Sequence, residues 1–278
     1  MRLRTTSTQR TYRYVRLALI GATVLLALSV GIEIAGGDPL PSISSAYYTP
    51  AGPVFVGALS AIALALLALS GRSLEQALLD VAAVLALAIA YLPTAVAGPG
   101  SGCPGATACV PDAVVPTVVN NAVAVASVVL LGVIAALILA RVQGTTSRGV
   151  TLTAATVAGL VVAGAVWAGV SPTSFFVIAH EAAAVGFFLL IAAVAALAAW
   201  RPHPRSSRGR GVRLAYGAVA AAIVLTLVVL VAALLAGVDT SVVPVILWGE
   251  AVAVGLFAVF WLVQTIELWN EVDPTLRP

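Results

Sequence analysis

The sequence contains no lysine, two histidines, two cysteines and one methionine, and only 9% of its 278 residues are charged. Without lysine the chain cannot form the Schiff base of a retinal pigment. His203 lies in a basic loop, so one histidine is left for the apolar segments, too few for a bis-histidine haem. No Walker A loop and no Gly-x-Ser-x-Gly elbow is present. We therefore expect neither a cofactor nor a metal site.

Long apolar runs dominate the sequence, which is 61% hydrophobic with a mean hydropathy of +1.10. Soluble domains carry about 25% charged residues, so this composition indicates an integral membrane protein. A helix of about 20 apolar residues crosses a bilayer. The fold class predicted is all-α, a polytopic bundle of about eight transmembrane helices. The predicted spans are 15–35, 53–70, 74–97, 113–140, 149–170, 174–200, 213–236 and 242–268.

The first span follows a basic leader, MRLRTTSTQRTYRYVR, which is also typical of a signal peptide. The apolar run from about Val15 to Ala35 is longer than the core of a usual signal peptide. A retained first helix is therefore the preferred interpretation, and cleavage near Ala35 is the alternative.

All 14 basic residues are arginines, and eight alternating spans place every one of them on one side of the membrane. Arginine excess in short loops is typical of the cytoplasmic side, which predicts that both termini lie inside. The bundle then covers 15–268 between a basic N-terminus, 1–14, and a cytoplasmic tail, 269–278. The expected location is a bacterial-type inner membrane.

Two loops carry the remaining signals. The outer loop at 98–111 holds Cys103 and Cys109, for which a structural disulfide is predicted; free thiols and a redox pair are the alternatives. The inner loop at 201–212 is basic, and we interpret it as an anchor beside lipid headgroups, with a phosphate or nucleotide site as the alternative. The expected partners are membrane lipids and other membrane proteins, not nucleic acid.

Small residues recur along the fifth span and indicate tight helix packing, as in Gly164-x3-Ala168 and Ala165-x3-Gly169. Proline is tolerated in a first helical turn, so Pro116, Pro172 and Pro244 predict the starts of the fourth, sixth and eighth helices.

Polar residues inside the apolar spans are costly and usually have a partner. Several of them lie at a similar predicted depth on four different helices, which predicts one shared polar cavity in the outer half of the membrane. A hydrogen bond from His180 to Glu181 or Glu250 is expected there; the alternative is a clamp that only fixes helix register. The candidate ligand-binding residues are Glu33, Asn120, Asn121, His180, Glu181 and Glu250. Of these, His180, Glu181 and Glu250 are also the catalytic candidates.

Three stretches resemble an uncharacterised family of bacterial multi-pass membrane proteins. They are SISSAYYTPAGPVFVGALSAIALALLALSG with the following AYLPT, FFVIAHEAAAVGFFLL, and WGEAVAVGLFAVFWLVQTIELW. More distantly, they resemble ceramidase and adipokine-receptor-like membrane hydrolases, which bind zinc through three histidines. Only His180 lies in the membrane here, so the resemblance does not extend to the metal. In this sequence we expect the loop with Ser42, Ser44, Tyr47 and Tyr48 to lie above the polar cavity and cap it.

Two functional classes remain open. The first is a non-enzymatic membrane protein with a role in transport, sensing or assembly, which is the preferred prediction. The second is an intramembrane hydrolase acting on a lipid or glycolipid, with His180 as acid and base and a carboxylate orienting it.

Overall fold

The computed structural model describes residues 6–37, 39–69, 73–97, 102–103, 108–200, 209–236 and 244–270. These ranges contain eight α-helices, which confirms the predicted all-α bundle. They are α1 (Thr6–Ala35), α2 (Gly52–Ala68), α3 (Leu74–Tyr91), α4 (Val115–Val142), α5 (Arg148–Val170), α6 (Pro172–Trp200), α7 (Gly209–Leu235) and α8 (Val245–Glu267). A short 3-10 helix, Ser44–Tyr48, follows α1. Residues 201–208 of the predicted basic inner loop at 201–212 lie outside the described residues.

Proline sets several of the helix ends. Pro116 is in the first turn of α4, Pro172 begins α6, and Pro244 is the N-cap of α8, as predicted. The predicted third span was too long at its C-terminal end, because α3 ends at Tyr91. A residue that precedes proline is disfavoured in the helical conformation, and Leu92, before Pro93, is extended.

Seven of the described helices are long and apolar enough to span a membrane; α2, with 17 residues, is the shorter exception. At 1.5 Å per residue α2 is roughly 25 Å long, near the lower limit for crossing the hydrocarbon core.

Contacts at one end of the bundle show that neighbouring helices alternate in direction. At one end, Arg13 near the start of α1 donates from Nε to the carbonyl of Trp269, just after α8, at 2.6 Å. Arg213 in α7 donates to the carbonyl of Ala199 at the end of α6 at the same end of the bundle. The start of α1 therefore lies beside the end of α8, and the start of α7 lies beside the end of α6. An even number of crossings requires this arrangement. We call this the arginine end and the opposite one the histidine end.

Six helices form a closed ring, in which α1 packs on α2, α2 on α3, α3 on α6, α6 on α7, α7 on α8, and α8 on α1. The largest fully buried side chains include Phe55 from α2, Tyr216 from α7, and Phe260 and Trp261 from α8. The core thus lies inside the ring, with few polar groups in it.

The pair α4 and α5 lies outside the ring, against α3 and α6. Only Val118 and Ala140 of α4 and Val157 of α5 are buried. A Cβ atom added at Gly159, Gly164 or Gly169 would meet nothing within 4 Å, so the tight packing predicted for α5 was wrong within this chain. Gly159, Ala165 and Gly169 are exposed, and Gly164 and Ala168 are only half-buried, because α5 touches the ring along a narrow strip.

The 3-10 helix Ser44–Tyr48 closes the histidine end of the ring. Ser44, Ser45 and Ala46 are buried, and the 3-10 helix packs on the start of α2. At the junction with α2, a Cβ atom on Gly52 would lie 2.5 Å from the carbonyl oxygen of Tyr47. Only glycine allows the backbone to approach this closely, so Gly52 determines how deeply the 3-10 helix is inserted.

We expect Gly52→Ala to destabilise the protein by about 1–3 kcal/mol, because the added methyl meets backbone that cannot rotate away. Thermal unfolding of the purified protein measures the loss. Gly57→Ala in the same helix is the matched control, since its Cβ would meet nothing within 4 Å. Equal unfolding temperatures for the two variants would contradict this account of the junction.

Candidate functional site

Ser44 joins two distant helices through a single hydroxyl group at the histidine end. Its Oγ lies 2.9 Å from Oε1 of Glu250 on α8 and 2.9 Å from Nε2 of His180 on α6. A direct hydrogen bond between His180 and a carboxylate was expected from the sequence. The structure instead places Ser44 between His180 and Glu250. We call these three side chains the relay.

His180 is held in one orientation by backbone. Its side chain is 1% exposed, and its Nδ1 lies 2.6 Å from the carbonyl oxygen of Leu92. A carbonyl oxygen only accepts, so Nδ1 must carry a hydrogen. The extended conformation imposed before Pro93 frees the Leu92 carbonyl for this bond, because α3 has already ended.

Glu250 holds the start of the 3-10 helix. Its Oε2 accepts hydrogen bonds from the backbone N–H groups of Ile43 and Ser44. Helical N-termini leave such N–H groups without a partner within the helix, and a carboxylate is a favourable acceptor there. Glu250 therefore takes part in three hydrogen bonds, and it ties α8 to the segment that closes the ring.

Glu181 faces a different partner from its neighbour His180. The hydroxyl of Thr94 donates to Oε1 of Glu181 at 2.8 Å, and the hydroxyl of Tyr48 donates to the carbonyl of Thr94 at 2.8 Å. Consecutive helical residues point about 100° apart, so the two side chains of α6 separate. Burial raises the pKa of Tyr48, and the nearby Tyr47 raises it further by a smaller amount. The Tyr48 hydroxyl therefore remains a donor at neutral pH.

The disulfide loop supports the segment that holds His180. Val96 and Cys109 exchange two backbone hydrogen bonds, of 2.9 and 3.0 Å. Cys103 and Cys109 lie at disulfide distance, with their Cα atoms 5.8 Å apart. The two backbone hydrogen bonds anchor 92–97, which carries both Leu92 and Thr94, to the loop that precedes α4, and the predicted Cys103–Cys109 pair lies within that loop.

The other candidate residues lie apart from the relay. The amide of Asn120 contacts that of Asn121 at 3.4 Å on an exposed part of α4, which is outside the ring. Glu33 is half-buried and lies two residues before the end of α1. It does not line the cavity that lies next to the relay inside the ring. The structure thus brings together two of the four helices expected to share one polar level.

A cavity of about 70 Å³ lies inside the ring, next to the relay. A single water needs roughly 10–15 Å³ of such space, so the cavity exceeds that several times. Ser44 and Glu250 form its polar end, and the rest is predominantly apolar. Its other lining residues are Thr23, Leu26, Ile43, Phe55, Leu59, Ile62, Ile89, Ala184, Phe187, Phe188, Val254 and Phe257.

Positive charge within the described residues is concentrated at one end of the bundle. The described arginines are at the arginine end, namely Arg10, Arg13, Arg16, Arg141, Arg148, Arg210 and Arg213. Glu250 and Glu181 are at the histidine end. Within the described ranges, no group of three or more His, Cys, Asp or Glu side chains is placed to hold a metal ion.

Two partners of the site were missed by sequence reasoning, the Leu92 carbonyl and Thr94. The signal for both was Tyr-Leu-Pro-Thr at 91–94, because proline there predicts a helix end with free backbone acceptors. Ser44 was expected near the cavity as a cap, and its role as the link between His180 and Glu250 could not be read from the sequence.

Comparison with protein-family models, curated proteins and solved structures found no match to this chain. The resemblance to a family of bacterial membrane proteins therefore stays an expectation, and the geometry of the site carries the functional inference.

Proposed function

We propose that the protein is a non-enzymatic transport or sensing protein that binds the head of a small amphiphile in the cavity inside the ring. The observation that carries this proposal is the position of Ser44 and Glu250 at one end of an otherwise apolar cavity. Binding sites for small molecules are typically apolar with a few polar groups that fix orientation.

Charge favours one kind of head group. The cavity ends at the Glu250 carboxyl, with which the exposed Glu181 interacts electrostatically, and the described arginines are at the other end of the bundle. An ammonium or a hydroxyl group can donate to a carboxylate, whereas a carboxylate ligand would be repelled. We therefore assign an amine or alcohol with an apolar chain as the ligand class.

Octylamine should bind to the purified protein in phosphatidylcholine nanodiscs, and octanoate should not. Ala184 lines the cavity, so Ala184→Phe should fill it and weaken octylamine binding at least about tenfold, or about 1.4 kcal/mol. Native mass spectrometry of the released protein measures the bound fraction. Ala182→Phe, on an exposed part of α6, is the matched control. Equal binding by both variants, or of both probes, would contradict the proposal.

An intramembrane hydrolase is the second candidate, and one distance favours it. Ser44 Oγ is 2.9 Å from Nε2 of His180, as in a nucleophile and its general base. The same serine lacks an evident oxyanion site, because the N–H groups of Ile43 and Ser44 are already bonded to Glu250. This occupation makes the binding function the better supported of the two.

A fluorophosphonate probe, which reacts covalently with activated serines, should leave Ser44 unlabelled. Mass spectrometry of peptides from the treated protein checks the modification, with Ser44→Ala as the blank. Labelling that requires both Ser44 and His180 would favour the hydrolase instead, because only an activated hydroxyl reacts.

We infer that the arginine end faces the cytoplasm of a bacterial-type cell membrane. Arginine excess on the cytoplasmic side supports this orientation. The position of the disulfide loop at the histidine end also supports it, because disulfides persist on the oxidising side.

Reporter fusions test this orientation. Green fluorescent protein fused after residue 278 should fluoresce, and alkaline phosphatase fused there should be inactive, because fluorescence requires the cytoplasm and phosphatase activity requires the outside. Fusions after residue 235, at the end of α7, should show the reverse pattern. Phosphatase activity at residue 278 would contradict the proposed orientation.

A further inference from the structure

The polar relay can satisfy its hydrogen bonds only with one additional proton. Nδ1 of His180 donates to the Leu92 carbonyl, so a neutral His180 leaves Nε2 as an acceptor. Ser44 has a single hydroxyl hydrogen and lies between Nε2 and Oε1 of Glu250, two atoms that would then both need a donor. With a neutral histidine and an ionised glutamate, one of these two contacts has no hydrogen.

We propose that His180, Ser44 and Glu250 form a proton-binding site that holds one proton in the native protein. In one form, Glu250 Oε1–H donates to Ser44 Oγ, and Ser44 Oγ–H donates to His180 Nε2. In the other form, His180 Nε2–H donates to Ser44 Oγ, and Ser44 Oγ–H donates to Glu250 Oε1. Each form satisfies every contact of the three side chains.

The two forms interconvert by moving two hydrogens along the relay. The Glu250 O–H bond breaks as a bond forms to Ser44 Oγ, and the original Ser44 O–H bond breaks as one forms to His180 Nε2. Glu250 then carries one negative and His180 one positive charge, and the proton count is unchanged. Ser44 is suited to this transfer because a hydroxyl both donates and accepts.

The relay has few titratable neighbours. On the elements packed around it these are Glu181 on α6, Tyr47 and Tyr48 in the 3-10 helix, Tyr91 at the end of α3, and Glu33 on α1. Glu181 accepts a hydrogen bond from Thr94, and Tyr91 accepts one from Ser60. Neither Glu181 nor Tyr91 therefore competes for Ser44. The proton count depends only on the relay geometry and requires no ligand in the cavity.

Glu250→Gln separates the proton from the carboxyl charge. The carboxamide oxygen can accept from the N–H groups of Ile43 and Ser44, and its NH₂ can donate to Ser44 as the protonated carboxyl does. This variant should fold and should resemble the proton-loaded form permanently. Glu250→Ala has neither group, so it should lose considerably more stability, because two buried N–H groups lose their acceptor.

The test compares unfolding of the wild-type protein and Glu250→Gln between pH 5 and pH 8. The native wild type holds one proton, and the native variant keeps a neutral His180 that holds none. Unfolded, both share the same histidine near its ordinary pKa of about 6.5, and unfolded Glu250 is ionised over this range. As the pH rises, the unfolding equilibrium constant of the wild type should therefore increase relative to that of the variant, tenfold for each pH unit.

Glu267→Gln is the matched control, since Glu267 lies on the same helix and accepts from Tyr216. The difference in stability between Glu267→Gln and the wild type should stay constant between pH 5 and pH 8. Parallel profiles for the wild type and Glu250→Gln would overturn the proposal, because the pair would then hold no extra proton. A loss of stability in Glu250→Gln as large as in Glu250→Ala would also overturn it, because the carboxamide reproduces the bonds of the protonated carboxyl.

Discussion

The need to give every buried polar group a partner governs the histidine end of this protein. In an apolar bundle, an unpaired donor or acceptor costs about 1–3 kcal/mol, and a charge costs more. His180, Ser44 and Glu250 meet this requirement together, with the Leu92 carbonyl and two backbone N–H groups as the outer partners. The relay closes one end of the ring because it ties the segments after α1 and after α3 to α6 and α8.

The same bonds explain why a polar group can lie beside an apolar cavity. Glu250 is fixed by three hydrogen bonds and cannot fold away from the cavity without releasing the 3-10 helix. Ser44 is fixed from the opposite side by the junction at Gly52, where backbone meets backbone. A polar end of defined position above an apolar wall is the arrangement that an amphiphile requires.

The two functional inferences draw on different properties of this arrangement. Ligand binding depends on the cavity and on the hydrogen-bonding groups of Ser44 and Glu250 at its polar end. Proton binding depends on the number of hydrogens that three side chains can share. If both hold, an ammonium head near Glu250 would compete with the shared proton, which would couple uptake of the one to release of the other.

Sequence alone determined the eight apolar segments, the separation of the described arginines, the proline-marked helix starts and the presence of His180 and Glu250 as polar residues within apolar spans. These signals are local, since each is read from a run of residues or from one costly polar residue. The end of α3 was misjudged, although Pro93 marked it, because apolar residues continue beyond it.

Only the tertiary structure decided which polar residues meet. Ser44 is 136 positions from His180 and 206 from Glu250, and no local pattern connects them. It also decided that α4, with Asn120 and Asn121, lies outside the ring. In a membrane protein, lipid and protein interior are both apolar, so hydrophobic periodicity does not show which face of a helix points inward. The inner faces are chosen by packing between distant helices, which the sequence does not display.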